Sequence, residues 1–167
     1  MTEAGDGIEA AEEIPDGVAL VRPRVEAVLC EYLGLPDPES LLWDGDGDIP
    51  IRWDNALYFV RLLDRDPVLV RVFAFILREI EGSPALLEAL NSINADIVSA
   101  RIFWNDGSVI AATEIPAASV EVGDLAHACW SVGSLAAWAG TELQNAFGGV
   151  LPPVPEVESE GTSETAE

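Results

Sequence analysis

Three β-type runs follow one another between Ile49 and Leu77 with at most four residues between them. Ile49 to Trp53 is followed by Asp54-Asn55, then Ala56 to Leu63, then Asp64-Arg65-Asp66-Pro67, then Val68 to Leu77. Gaps this short cannot carry a strand back to the far end of the sheet, so neighbouring runs must be antiparallel. Val98 to Trp104 and Ser108 to Ile115 repeat the pattern around Asn105-Asp106-Gly107, whose Asn, Asp and Gly tolerate the positive φ of a hairpin turn.

Helical periodicity fills the rest. Pro23 opens a first helix whose apolar face is Val25, Val28, Leu29, Tyr32 and Leu33, and Gly34 and Pro36 stop it. Ser83-Pro84 is a hydroxyl cap followed by a proline, and it starts a second helix with Leu86, Leu87, Leu90 and Ile93 on one face. Ser119 caps a long third helix over Val120 to Phe147, ended by Gly148-Gly149. The order α-β-β-β-α-β-β-α specifies an α+β fold, with helices packed against a five-stranded antiparallel sheet.

Charge limits the partners. The chain has 30 acidic residues, eight basic residues that are all Arg, and a net charge of −22. Residues 1–17 and 151–167 are acidic and unpatterned, and are expected to be disordered tails around one domain over 18–150. That domain is itself acidic. A negative field repels nucleic acid and anionic membranes, and no apolar run is long enough to span a bilayer. With no basic leader followed by an apolar stretch, the expected location is cytoplasmic. Cys30 and Cys129 lie in apolar helical patterns and read as buried thiols, with a disulfide between helices as the alternative.

Three segments bear a family resemblance: Asp44-Gly45-Asp46-Gly47-Asp48-Ile49 entering the first strand, Leu90-Asn91-Ser92-Ile93-Asn94 near the end of the second helix, and Ala100-Arg101-Ile102-Phe103-Trp104 in the fourth strand. Together with the element order, they resemble the YbjN-like family and the wider type III secretion chaperone-like fold, over about residues 20 to 147. The resemblance implies an α+β domain that holds segments of other proteins, that is often dimeric, and that carries no catalytic residues.

Motifs for chemistry fail on inspection. Counted from Asp44, an EF-hand needs Gly at position six and Glu at position twelve, but Ile49 and Asn55 stand there. His127, the one histidine, has no Cys/His cluster and no Gly-x-Ser-x-Gly elbow to work with. The chain is therefore read as a non-enzyme without cofactor or metal.

Two features suggest binding. In the third helix Val122, Leu125, Cys129, Val132, Ala136, Ala139, Leu143 and Ala146 form one seam, and Trp130 and Trp138 lie off it. Either this helix is central, or one face meets a partner or a second copy of the chain. In the strands, alternation places Leu69, Arg71, Phe73, Phe75 and Leu77 on one face of the third run and Arg61 with Phe59 in the second. Arg52, Arg101 and Phe103 occupy the neighbouring strands. Aligned, Arg52, Phe59, Arg61, Arg71, Phe73, Arg101 and Phe103 make an arginine–aromatic face suited to an extended peptide with apolar and acidic side chains, unless the chain's own carboxylates occupy the arginines. A protein or peptide client of a chaperone or adaptor is the expected partner. The alternative is an acidic decoy or antitoxin-like protein for a basic partner.

Overall fold

A computed structural model describes residues 16–53 and 56–153; the tails over 1–15 and 154–167 and the expected Asp54-Asn55 turn lie outside them. Three α-helices, α1 (Gly17–Leu33), α2 (Pro84–Asp96) and α3 (Val122–Phe147), accompany five strands. The strands are β1 (Asp48–Trp53), β2 (Ala56–Leu63), β3 (Leu69–Leu77), β4 (Arg101–Asn105) and β5 (Ser108–Pro116). They form one antiparallel sheet in the order β1-β2-β3-β5-β4. The α+β class and the element order read from the sequence hold.

Several boundaries move, each for a local reason. Helix α1 starts six residues before Pro23, because the Asp16 carboxylate accepts the Val18 N–H at 3.0 Å and supplies the cap. Pro23 then sits exposed inside the helix. Ser119 does not cap α3: Ala117–Ser119 form a short 3-10 turn. Val120 is buried and its carbonyl accepts from Arg24 Nε at 3.1 Å, and the helix begins past it, where Asp124 accepts from the Glu121 N–H at 3.1 Å. Val98 to Ala100 belong to the connection ahead of β4 rather than to the strand. A register shift between Phe75 and Leu77 turns Leu77 inward, away from the face shared by Arg71 and Phe73.

The core lies between one face of the sheet and the helices. α3 packs on β2, β3 and β5, with α1 alongside it. Leu125, Cys129, Val132, Ala139 and Leu143 of the expected seam are buried against Val60, Val70, Val72, Ala74 and Ala111 of the sheet. Val122 and Ala136 are only half buried and Ala146 is exposed, because Ala128, Leu135 and Gly140 complete the stripe instead. The Tyr32 and Tyr58 hydroxyls meet at 3.2 Å within this layer. Cys30 and Cys129 are buried and unpaired. Helix α2 flanks β4, where the Asn94 amide donates to the Ile102 carbonyl and accepts from its N–H, both at 2.8 Å. One side chain thus satisfies the edge groups that another strand would otherwise seek.

Candidate client-binding face

The opposite face of the sheet holds the arginines and phenylalanines. Register brings them into rows. Asp48, Arg61, Arg71 and Glu114 stand opposite one another across β1, β2, β3 and β5. The next row is Pro50, Phe59, Phe73, Ala112 and Arg101. Beyond it, Ile110 stands between Phe75 and Phe103, and Arg52 stands opposite Leu57.

Phe59 and Phe73 stack with centroids 5.3 Å apart, and Phe75 meets both edge-on at 6.2 and 5.9 Å. The Arg78 guanidinium lies 4.1 Å from the Phe75 centroid, Arg61 lies 5.4 Å from Phe73, and Arg101 lies 5.4 Å from Phe103. Phe73 and Ala112 are buried, yet neither belongs to the core beneath the helices. This is a second apolar cluster, covered by its own long side chains and by no described helix.

The arginines are held by the chain's own acids. Arg61 binds Asp48 through both nitrogens of its fork, one at 2.6 Å. Arg71 Nε donates to Glu114 at 2.7 Å, and Arg101 donates to the same carboxylate. This arrangement lets Arg61 and Arg71 stand opposite each other, since each guanidinium turns to a carboxylate on its far side. Burial raises the Glu114 pKa, but hydrogen bonds and charge from Arg101 and Arg71 outweigh it and hold the group below the usual carboxylate range. Arg52 is exposed and forms no salt bridge among the described residues.

Trp130 and Trp138 are not part of this face. They project from α3, on the helix side of the sheet, 69% and 57% exposed. The nine candidate residues therefore divide into two surfaces. Sequence alternation already put Phe75 on this face, but it missed Glu114 and Arg78, whose roles depend on register and on side chains crossing strands.

Other candidate chemistry is otherwise engaged. The Asp44 carboxylate accepts the N–H groups of Asp46 and Asp48 at 2.9 Å each, and Asp48 serves Arg61, so these acids fix a turn. His127 Nε2 lies 3.0 Å from Ser99 Oγ, and among the described residues no carboxylate bonds to the ring. Among the described residues no Cys, His, Asp and Glu cluster is suited to a metal. No described helix is long and apolar enough to cross a membrane.

The fold is similar to that of chains in two solved complexes. The structure of the HopA1-SchA chaperone-effector complex contains a chain that aligns with a TM-score of 0.58 at 13% identity, covering 77% of this chain and 99% of that one. A chain of the ExsC-ExsE complex aligns with a TM-score of 0.54 at 18% identity, covering 71% and 92%. At these identities the likeness shows the fold. Residues 19–152 match the family TY-Chap1, described as type III secretion system (YopN, CesT) and YbjN peptide-binding chaperone 1. The chain belongs to the TY-Chap1 family. The match spans every described helix and strand apart from the first two residues of α1, and it bears out the resemblance read over about residues 20 to 147. A sequence comparison with curated proteins gives no match.

Proposed function

We propose that this chain is a non-catalytic peptide-binding chaperone whose open sheet face receives an extended segment of a client protein. Family membership supports the peptide-binding role. The observation that carries the choice of face is the Phe59–Phe73–Phe75 cluster, an apolar surface outside the helix-covered core and framed by Arg52, Arg61, Arg71 and Arg101. An extended client presents alternate side chains to such a surface. Its apolar residues pack on the rings, and its carboxylates compete with Asp48 and Glu114 for the arginines. Phe103 extends the apolar strip at the β4 side.

A decoy for a basic partner requires carboxylates presented outward in a regular array. Asp48 and Glu114 instead face arginines of the same chain, so that reading finds no support here.

The test is binding of a fluorescein-labelled peptide with alternating Phe and Glu, measured by anisotropy. Arg52→Glu is expected to weaken binding at least tenfold, and Arg101→Gln, which keeps a donor for Glu114, several-fold, while the melting temperature stays within a few degrees. Unchanged affinity in both variants rules out the sheet face.

A further inference from the structure

A cleft of about 330 Å³ lies on the helix side of the molecule, between the connection from α2 to β4 and the outer flank of α3. Ile97 to Ala100 form one wall, and Trp130, Ser131, Leu135 and Trp138 form the other. The volume falls in the lower range of ligand pockets. The two tryptophans stand eight residues apart, about 12 Å along the helix axis.

Three observations distinguish this cleft from an ordinary surface depression. First, Trp130 and Trp138 leave most of their area in water, although Trp burial is among the largest contributions to binding interfaces. Val98 on the facing wall is almost fully exposed. Second, Ser131 is 92% buried in the cleft lining and its hydroxyl has no hydrogen-bond partner. An unpaired buried hydroxyl costs stability, and it lies in the helix wall that carries both tryptophans. Third, the rim is pinned. The His127 ring stacks on Trp130 with centroids 6.3 Å apart, and its Nε2 lies 3.0 Å from Ser99 Oγ on the other wall.

Charge and size identify the occupant. No lining residue carries a formal charge, which disfavours phosphate and acidic ligands. Asp96 ends α2 just before the wall, and Glu142 follows Trp138 by one turn, both exposed. Arg101, the nearest cation in sequence, is tied to Glu114 on the other face of the sheet. The flanks are thus negative. The two tryptophans span about 12 Å of the cleft, the length of about four extended residues, so a short segment fits it.

We propose that this cleft is a second client site, which takes one bulky apolar side chain of a polypeptide flanked by Lys or Arg. The proposal rests on the reading that the clients are peptides. It adds a site of opposite charge preference to the sheet face.

Two fluorescein-labelled probes separate the sites on the full chain: a peptide with one Phe between paired Lys residues, and the Phe–Glu peptide used for the sheet face. Trp130→Ala and Trp138→Ala are expected to weaken the basic probe at least tenfold and leave the acidic probe within twofold. Ser134→Arg, an exposed change on α3 that fills the cleft and adds positive charge, gives the same result without removing any packed group. The proposal is overturned if the wild-type chain does not bind the basic probe, or if its affinity survives both Ser134→Arg and the tryptophan changes. It is also overturned if Trp138→Ala abolishes self-association in sedimentation while the basic probe still binds. Failure of the acidic probe alone strikes the sheet-face reading and leaves this one standing.

Discussion

Glu114→Gln probes the idea that the chain's own carboxylates hold the sheet arginines ready for a client. Glu114 is 15% exposed and accepts from Arg71, 30% exposed, at 2.7 Å, and from Arg101, 47% exposed. A hydrogen bond to a charged group contributes about 1.5–3 kcal/mol net when sheltered. The Arg101 half is open to solvent and is discounted to roughly 0.5 kcal/mol. Glutamine retains one oxygen acceptor and returns about 1 kcal/mol, so the variant loses about 1–2.5 kcal/mol. At about 2–4 °C per kcal/mol for a chain this size, the melting temperature falls by roughly 2–10 °C. Binding should move the opposite way. Two guanidiniums lose their carboxylate, and a client carboxylate taking its place gains about 1 kcal/mol, close to fivefold in affinity for the Phe–Glu peptide. Calorimetry and anisotropy at low salt measure both changes, and the affinity gain shrinks as salt is raised. A variant that is less stable but binds the acidic peptide no better refutes the competition argument. It would make Glu114 a support for the face and not a rival of the client.

The same residue sets a pH dependence. Its folded pKa is below the unfolded value of about 4.3, so its contribution is complete above that pH and is lost as the pH falls through the folded pKa. Urea melts of wild type between pH 6 and 3 should show this loss, and Glu114→Gln should have a shallower slope. Gly82→Ala would place a methyl 2.9–3.0 Å from the Trp104 ring, which is itself held by its Nε1–H donating to the Ile80 carbonyl at 2.9 Å; a destabilisation of about 1–3 kcal/mol is expected, and a melt within 0.5 kcal/mol of wild type contradicts the packing. Burial pushes the Cys129 thiol up to about 11, so alkylation at pH 8 should leave it unmodified in the native protein and label it fully in urea; rapid native labelling would place the thiol in solvent.

Much of this protein was legible from local chemistry. The tight turns forced an antiparallel sheet, and Asn105-Asp106-Gly107 marked the β4–β5 hairpin, with Asp106 and Gly107 at positive φ. The Ser83-Pro84 start of α2 and the Gly34 stop of α1 are where periodicity put them. Strand alternation also placed Arg61, Arg71, Phe59 and Phe73 on one face, because side-chain direction along a strand depends only on parity. Errors gathered where a distant group decides the outcome. Val98 to Ala100 look like strand, but they lie ahead of the point where β4 pairs with β5, and they wall a cleft instead. Leu77 changes face at a register shift that its own sequence does not announce.

By itself, then, the sequence determined the element types, the antiparallel order within each hairpin, the arginine–phenylalanine alternation and the negative field. Tertiary structure decided the placement of β5 between β3 and β4, and with it the meeting of Arg71, Glu114 and Arg101. It also decided that Trp130 and Trp138 belong to a separate surface from the sheet arginines. The physical reason is one of range: turn geometry and side-chain parity act over a few residues, whereas an ion pair across strands and a cleft between a helix and a loop exist only after distant segments have packed.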